Sequence, residues 1–233
     1  MDVESQLISV IVAVKNGERY LSQALRDVAA QTYSPVETIV VDGRSSDRSA
    51  EIARSFAGVK VITQDGAGFA DAWNIGLRHA RGELIAFLDS DDRWVPDKLE
   101  AQARLLARNP DLQWVISLAR FFIEPGVTTP TSFRGSLLER AHVANMPSAL
   151  LARRGVFDAI GTFPTDYEIA NDIEWFARLK DAGLRRGVVR RVLICKRVHD
   201  ANVSYNAPAA YSGELLRLLR DSLARQREAS AER

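Results

Sequence analysis

The sequence has a single cysteine, almost no excess charge of either sign and no long hydrophobic run. Cys195 has no second cysteine to pair with, so we expect a reducing compartment and a buried, non-redox role for this thiol. The 31 basic and 30 acidic residues leave a net charge of +1, which gives no basis for expecting nucleic acid as a partner. The apolar run at residues 7–14 is too short for a signal peptide or a membrane span. We therefore predict a cytoplasmic protein.

A dinucleotide-binding fingerprint is also missing. The first predicted strand is followed by Lys15, Asn16 and Gly17 and not by GxGxxG, and the stretch GAGFAD at residues 66–71 has the wrong spacing and follows the third strand. The sequence therefore argues against a Rossmann dinucleotide-binding site. With 233 residues, the chain is long enough for one large domain or two small ones.

Strands and helices alternate in the first half of the chain. Residues 7–14, 38–41 and 59–63 are apolar and rich in β-branched side chains, which is typical of strands covered on both faces. Helical spacing of apolar residues follows each of them. This order predicts an α/β fold with a mostly parallel sheet and helices on both faces. The alternation weakens after about residue 112, where we predict strands at 114–119 and 188–194, a short helix at 148–157, and a helix opening at Asn171.

Acidic residues crowd the end of the predicted strand at residues 84–88. If the backbone stays extended, Asp89 and Asp91 point the same way and could hold a hard divalent cation. The alternative is a solvated acidic turn in which Asp92 or Asp97 caps the next helix. A calcium-binding loop is excluded, because Trp94 occupies its obligatory glycine position. Ligands of open parallel sheets bind at the carboxyl ends of strands, where these residues lie.

Two helices in the second half carry further candidates. Asn171 and Glu174 have the spacing of a capping box, so they could be purely structural, and Asp172 would suit the helix dipole. Residues 211–227 form an amphipathic helix with an arginine-rich face opposite its leucines. The leucine face could pack on the same chain, pair in a homodimer or lie on a membrane surface. Its members are Leu215, Leu216, Leu219 and Leu223.

Five stretches, taken in order, resemble the family 2 glycosyltransferases, which have the GT-A fold. They are ISVIVAVKNGERYLSQAL at 8–25, ETIVVDGRSSDRSAEIA at 37–53, GAGFADAWNIGLRHARGE at 66–83, FLDSDD at 87–92 and, more weakly, residues 149–179. The resemblance implies an inverting, metal-dependent hexosyltransferase that uses Mn²⁺ or Mg²⁺ and a nucleotide diphosphate sugar, UDP-linked. The acceptor would be a glycan, a lipid-linked or another hydroxyl compound, in polysaccharide, glycolipid or other glycoconjugate biosynthesis at the cell surface. The enzyme would be cytoplasmic or peripheral to the inner face of the membrane.

The resemblance also implies a division of labour along the chain. Residues 1–112 would bind the nucleotide sugar, residues 113–205 would bind the acceptor within the same GT-A domain, and residues 206–233 would form the C-terminal amphipathic helix. The implied metal ligands are Asp91, Asp89 and His199. The implied nucleotide-sugar site contains Ala13, Lys15, Asn16, Glu18, Asp42, Asn74, Gly76 and Asp89.

Asp172 matches the aspartate that removes a proton from the acceptor hydroxyl in this family. Its neighbour is usually acidic and is Asn171 here, so Asp166 is kept as the fallback base. Gly43 stands where many members have a second acidic residue, which leaves the contact to the nucleotide base open. The rival interpretations are a GT-A-like nucleotidyltransferase, which would need a basic, glycine-rich loop after the first strand, and a catalytically silent nucleotide-sugar-binding protein.

Overall fold

The computed structural model describes residues 6–130, 132–202 and 208–231. Within these residues it contains nine strands and seven α-helices. The strands are β1 Ile8–Val14, β2 Val36–Asp42, β3 Val59–Thr63, β4 Leu84–Asp89, β5 Arg93–Trp94, β6 Trp114–Ile123, β7 His142–Val143, β8 Leu151–Arg153 and β9 Arg186–Val198. The helices are α1 Leu21–Ala29, α2 Ser49–Arg54, α3 Phe69–His79, α4 Lys98–Arg108, α5 Gly155–Ile160, α6 Asn171–Asp181 and α7 Pro208–Ala231.

The described strands form one sheet in the order β3-β2-β1-β4-β8-β6-β9-β5, with β7 beside β6. Strands β3, β2, β1 and β4 are parallel, and so is the long pair of β6 with β9. The short strands β5, β7 and β8 pair antiparallel. Every residue of β1 is buried, because helices cover both faces of a parallel sheet. The predicted α/β class with a mostly parallel sheet is therefore confirmed.

The structure corrects four local predictions. Residues 148–157 do not form one helix, because Leu151–Arg153 is a strand between β4 and β6 and α5 begins only at Gly155. The residues that precede α4 and α6, Asp97 and Ala170, make no side-chain capping bond, so the Asp97 cap and the capping box at Asn171 are both wrong. Cys195 is half-buried in β9 and not in the core.

The C-terminal helix α7 packs on the described chain mainly through a face other than the predicted leucine face. Leu218 is buried against Tyr167 and Ala170, and ion pairs on this side join α7 to the loop before α6 and to α6 itself. The leucines at 216, 219 and 223 are 53–61% exposed, so they do not pack on the described part of this chain. Of the predicted segment, residues 206–207 and 232–233 lie outside the described residues. No described helix combines the length and apolar character needed to cross a membrane.

Candidate functional site

Three carboxylates meet where β4 ends. Asp89 is the last residue of β4 and lies beside Ala13 of β1, and its backbone N–H donates to Ser148 Oγ at 3.0 Å. The chain then turns, so that ligand atoms of Asp89, Asp91 and Asp92 all lie within 4.8 Å of one another. Oxygen donors in this arrangement suit a hard divalent cation. The predicted pair of Asp89 and Asp91 is therefore brought together, although by a turn and not by a continued strand.

His199 is brought to the same cluster from the far end of the sequence. Its Nε2 lies 3.0 Å from Asp91 Oδ2, and Asn202 Nδ2 donates to the same oxygen at 3.2 Å. Burial opposes ionisation of Asp91, but the charge of Lys196 and the hydrogen bond from His199 outweigh it and lower the pKa of this carboxyl. Asp91 is thus kept ionised, as a metal ligand must be. The three predicted metal ligands, Asp89, Asp91 and His199, therefore lie close together.

Lys196 is a member of this site that the sequence did not predict. Its Nζ donates to Asp89 Oδ2 at 2.9 Å and to Asp92 Oδ2 at 3.0 Å. Asp92 is 1% exposed, and burial raises the pKa of its carboxyl to about 8 despite the Lys196 charge. The sequence signal for Lys196 is the alternation of side chains along β9. That alternation locates Lys196 at the acidic cluster only when the pairing of β9 with β5 is known as well.

Asp172 lies in the first turn of α6, half-buried, with its Oδ1 accepting from the backbone N–H of Ile173 at 2.8 Å. Burial raises the pKa of Asp172 to about 6, with a further rise from the charge of Asp89 and an opposing effect from Lys196. Asp172 thus responds to the charges of two residues of the acidic cluster. A carboxyl that titrates near neutral pH is suited to accept a proton.

The fallback base Asp166 has a different environment. It is exposed and forms an ion pair with Arg217 of α7. That hydrogen bond lowers the pKa of the Asp166 carboxyl. A carboxylate held ionised by an arginine at the surface is a weaker proton acceptor than a buried one. The geometry therefore favours Asp172.

The residues predicted around the nucleotide lie in the loops that follow β1 and β2. Asn16, with a positive φ of 52°, accepts through Oδ1 from the backbone N–H of Ser46 at 2.8 Å. Glu18 accepts from the backbone N–H of Arg48 at 3.1 Å, and buried Asp42 lies at the end of β2. These bonds tie the two loops together at the edge of the sheet that also carries Asp89. Ala13 lies near the end of β1 and Lys15 directly follows the strand, so these predicted residues adjoin the same loops.

Asn74 and Gly76 of α3 have packing contacts that account for their identities. Both amide atoms of Asn74 bond the backbone of Phe163, as donor to its carbonyl at 2.8 Å and as acceptor from its N–H at 3.0 Å. A Cβ on Gly76 would lie 2.3 Å from Ile11 Cγ2, so the helix approaches β1 too closely for any side chain. Their contact with a nucleotide sugar stays a prediction.

The start of α6 is held by the C-terminal helix. The carboxylate of Glu214 in α7 accepts hydrogen bonds from the backbone N–H groups of Glu168, Ile169 and Ala170, at 3.0 Å for Ile169 and 2.8 Å for Ala170. These three residues lead directly into the helix that carries Asp172. The position of Asp172 therefore depends on a contact made some forty residues further along the chain.

Similarity to known proteins identifies the family of this chain. The model of Glycosyl transferase family 2 matches residues 9–172, which include β1, the acidic cluster and Asp172. The chain belongs to this family. Among other glycosyltransferases, an uncharacterised one from Rickettsia typhi is 28% identical over 94% of this chain and 74% of its own length. The UDP-Glc:alpha-D-GlcNAc-diphosphoundecaprenol beta-1,3-glucosyltransferase WfgD of Escherichia coli is 37% identical over 46% of this chain and 44% of its own length.

Solved glycosyltransferase structures share the fold. Residues 1–349 of S. aureus TarS, in complex with UDP-GlcNAc, superpose with a TM-score of 0.68 at 20% identity, covering 84% of this chain and 59% of that chain. The mannosyltransferase PcManGT from Pyrobaculum calidifontis, in complex with GDP-Man and Mn²⁺, gives 0.69 at 21% identity, covering 94% and 65%. At this identity the likeness establishes the fold alone. This family 2 glycosyltransferase spans less than two thirds of both solved chains.

Proposed function

We propose that this chain transfers a hexose from a nucleotide diphosphate sugar, UDP-linked, to an acceptor hydroxyl with inversion of the anomeric centre. The observation that carries the proposal is the cluster of the Asp89, Asp91 and Asp92 carboxylates at the end of β4, with the charge of Asp89 contributing to the raised pKa of Asp172. The TarS complexes with UDP and UDP-GlcNAc support a nucleotide-sugar donor. The relative WfgD, named for a lipid diphosphate acceptor, supports a role in polysaccharide or glycolipid biosynthesis.

The leaving group of this reaction is a nucleoside diphosphate, whose oxygens gain negative charge as the glycosidic bond breaks. Mn²⁺ or Mg²⁺ held by Asp91, Asp89 and His199 would neutralise that charge when bound. The residues fit such an ion because all three present oxygen or imidazole ligands and Asp91 is kept ionised. The Mn²⁺ in the PcManGT structure supports the same assignment.

Asp172 is proposed as the general base. Inversion requires the acceptor hydroxyl to attack the anomeric carbon from the side opposite the diphosphate, and the hydroxyl must lose its proton as it attacks. The raised pKa of Asp172, about 6, gives its carboxylate more affinity for that proton than an exposed aspartate has. Residues 1–112 would bind the donor, through the loops around Asn16, Glu18 and Asp42, and residues 113–205 would bind the acceptor.

The exposed side of α7 supports a contact with an anionic membrane surface. The leucine stripe, defined as Leu216, Leu219 and Leu223, lies on one side of the helix, and Arg220 and Arg227 share that side without a described acidic partner. Three leucines on a convex helix offer far less area than the roughly 800 Å² per partner of a stable dimer. A symmetric dimer through the stripe would also bring the arginines of two copies together. Leucine beside unpaired arginine suits a lipid headgroup boundary, and would place the enzyme at the inner face of the membrane.

The test is a screen of nucleotide sugars for release of nucleoside diphosphate, with Mn²⁺ or with EDTA. We expect release from at least one UDP-sugar with Mn²⁺ and none with EDTA. The Asp91→Ala variant should be inactive, whereas the matched surface variant Asp111→Ala, which loses only an exposed ion pair with Arg185, should retain activity. Release that is equal with and without the metal would contradict the metal site. No release from any nucleotide sugar, combined with no binding of UDP or GDP, would contradict the proposed function itself.

A further inference from the structure

The acidic cluster already contains a cation that belongs to the protein. Lys196 reaches in from β9, and its ammonium touches one oxygen of Asp89 and one of Asp92, with the side chain 17% exposed. The guanidinium of Arg197, the next residue, bonds the Asp91 backbone carbonyl, the Glu124 carboxylate and Gln23 Oε1, whereas only its backbone N–H reaches Asp92 Oδ1, at 3.1 Å. Among the described residues, Lys196 is thus the lysine or arginine that pairs directly with the cluster's carboxylates.

This ammonium sits where a metal ion would compete with it. The three aspartates each offer a ligand atom within 4.8 Å of the others, and Lys196 occupies one oxygen of Asp89 at 2.9 Å and one of Asp92 at 3.0 Å. Like charges so close together are costly unless a cation compensates them. Lys196 supplies that compensation before any ligand arrives. A divalent cation that binds alone must therefore compete for Asp89 and add its charge to a site whose negative charge Lys196 already offsets in part.

The donor changes this balance. A nucleotide diphosphate sugar brings two negative charges in its diphosphate and further oxygen ligands, which are the usual completion of a Mg²⁺ or Mn²⁺ site in proteins. With the donor present, both the ammonium and the metal have negative partners. Without it, they compete for the same aspartate oxygens.

We propose that Lys196 acts as a resident counter-cation that weakens metal binding to the free enzyme and makes metal binding depend on the donor. The proposal rests on the proposed donor and metal site. It makes Lys196 a positioning residue, because it acts through Asp89 and Asp92. The consequence is ordered assembly, in which metal and nucleotide enter together.

The experiment measures Mn²⁺ dissociation constants by calorimetry, without nucleotide and with saturating UDP or GDP, on wild type and Lys196→Met. Wild type should bind Mn²⁺ at least tenfold more tightly with the nucleotide than without it. Lys196→Met should bind Mn²⁺ alone about tenfold more tightly than wild type, and the nucleotide should then add much less. Lys196→Arg keeps the charge and should behave like wild type. Lys180→Met, at an exposed site on α6, is the matched control and should change nothing.

The outcomes separate the inference from the proposed function. If wild type binds Mn²⁺ with nucleotide but Lys196→Met binds the ion alone no better than wild type, the counter-cation role is overturned and the donor site stands. If wild type binds neither Mn²⁺ nor nucleotide, both are overturned. A purely structural lysine would not produce a gain of metal affinity on removal. Lys196→Gln, which keeps a hydrogen-bond donor, is measured in the same way should Lys196→Met not fold.

Discussion

Replacing Asp172 by Asn separates a catalytic role from a structural one. Asparagine keeps the size of the side chain and the oxygen that accepts from the Ile173 N–H at 2.8 Å, but it cannot take a proton from the acceptor. Loss of a general base typically lowers the rate about 10² to 10⁴-fold. Donor affinity should barely change, because the proton belongs to the acceptor.

Although Asp172→Asn should lower the transfer rate, it should not lower the stability of the fold. Burial raises the pKa of Asp172 from 3.8 to about 6, so ionising it costs the folded state more than the unfolded state. The contribution of the Asp172 carboxyl to the free energy of unfolding is fully present below pH 3.8, declines as the pH rises and is lost above about pH 6. Raising the pKa of Asp172 from 3.8 to about 6 corresponds to roughly 3 kcal/mol of stability at most. Because Asn carries no charge, Asp172→Asn should melt no lower than wild type at pH 8.

The assay measures transfer rate, donor dissociation constant and melting temperature on one sample, with Asp158→Asn, at an exposed position in the first turn of α5, as the matched change. For wild type, kcat/KM should fall as the pH drops through about 6, because the base becomes protonated. Transfer within a few fold of wild type would show that Asp172 is not the base, and Asp166 would be tested next. A collapse of the melting temperature would show a structural role instead.

Three further predictions concern the metal, the packing of α3 and the membrane contact. Asp91→Ala should abolish the Mn²⁺ dependence of UDP binding in calorimetry, and equal affinity with Mn²⁺ and EDTA in wild type would refute the metal assignment. Gly76→Ala should destabilise the fold by about 1–3 kcal/mol in urea unfolding, because the new methyl would lie 2.3 Å from Ile11. The double variant with Ile11→Ala should lose less stability than the sum of the two single losses, and additive losses would contradict the contact. Serine at all three positions of the leucine stripe should abolish flotation with anionic liposomes, whereas Val143→Ser, another exposed apolar position, should not. Absence of flotation by wild type, or a dimer in light scattering, would refute the lipid assignment.

The first half of the fold was predictable because each element carries its own signal. Residues 59–63 were predicted as a strand, and β3 has those bounds, while β1 and β2 differ only at their ends. Parallel strands place their carboxyl ends together, so Asp42 and Asp89 could be expected at one edge from the order of elements alone. The short apolar stretch at 148–157 gave no such signal, because strands and helices of that length cannot be told apart by periodicity.

The rest of the site depends on contacts between distant parts of the chain. Lys196 joins the cluster because β9 runs beside β5, and two residues are too few to show β5 as a strand in the sequence. The orientation of α7 is fixed by partners from other elements. Arg225 pairs with Glu174 and Asp181 of α6, which turns the side of α7 that carries Arg225 inward and the leucine stripe outward. An amphipathic pattern identifies two faces but cannot say which one a protein buries when ion pairs compete with apolar contact.

The hydrogen bonds that Glu214 accepts from the segment before α6 constrain any redesign of this enzyme. A shortened version or a chimera would naturally be cut near residue 205, after the last strand of the sheet. Such a cut would leave three backbone N–H groups ahead of α6 without their carboxylate partner and would loosen the segment that carries Asp172. Any exchange of the C-terminal helix should therefore carry a glutamate at position 214, or the grafted protein is expected to bind donor normally and transfer slowly.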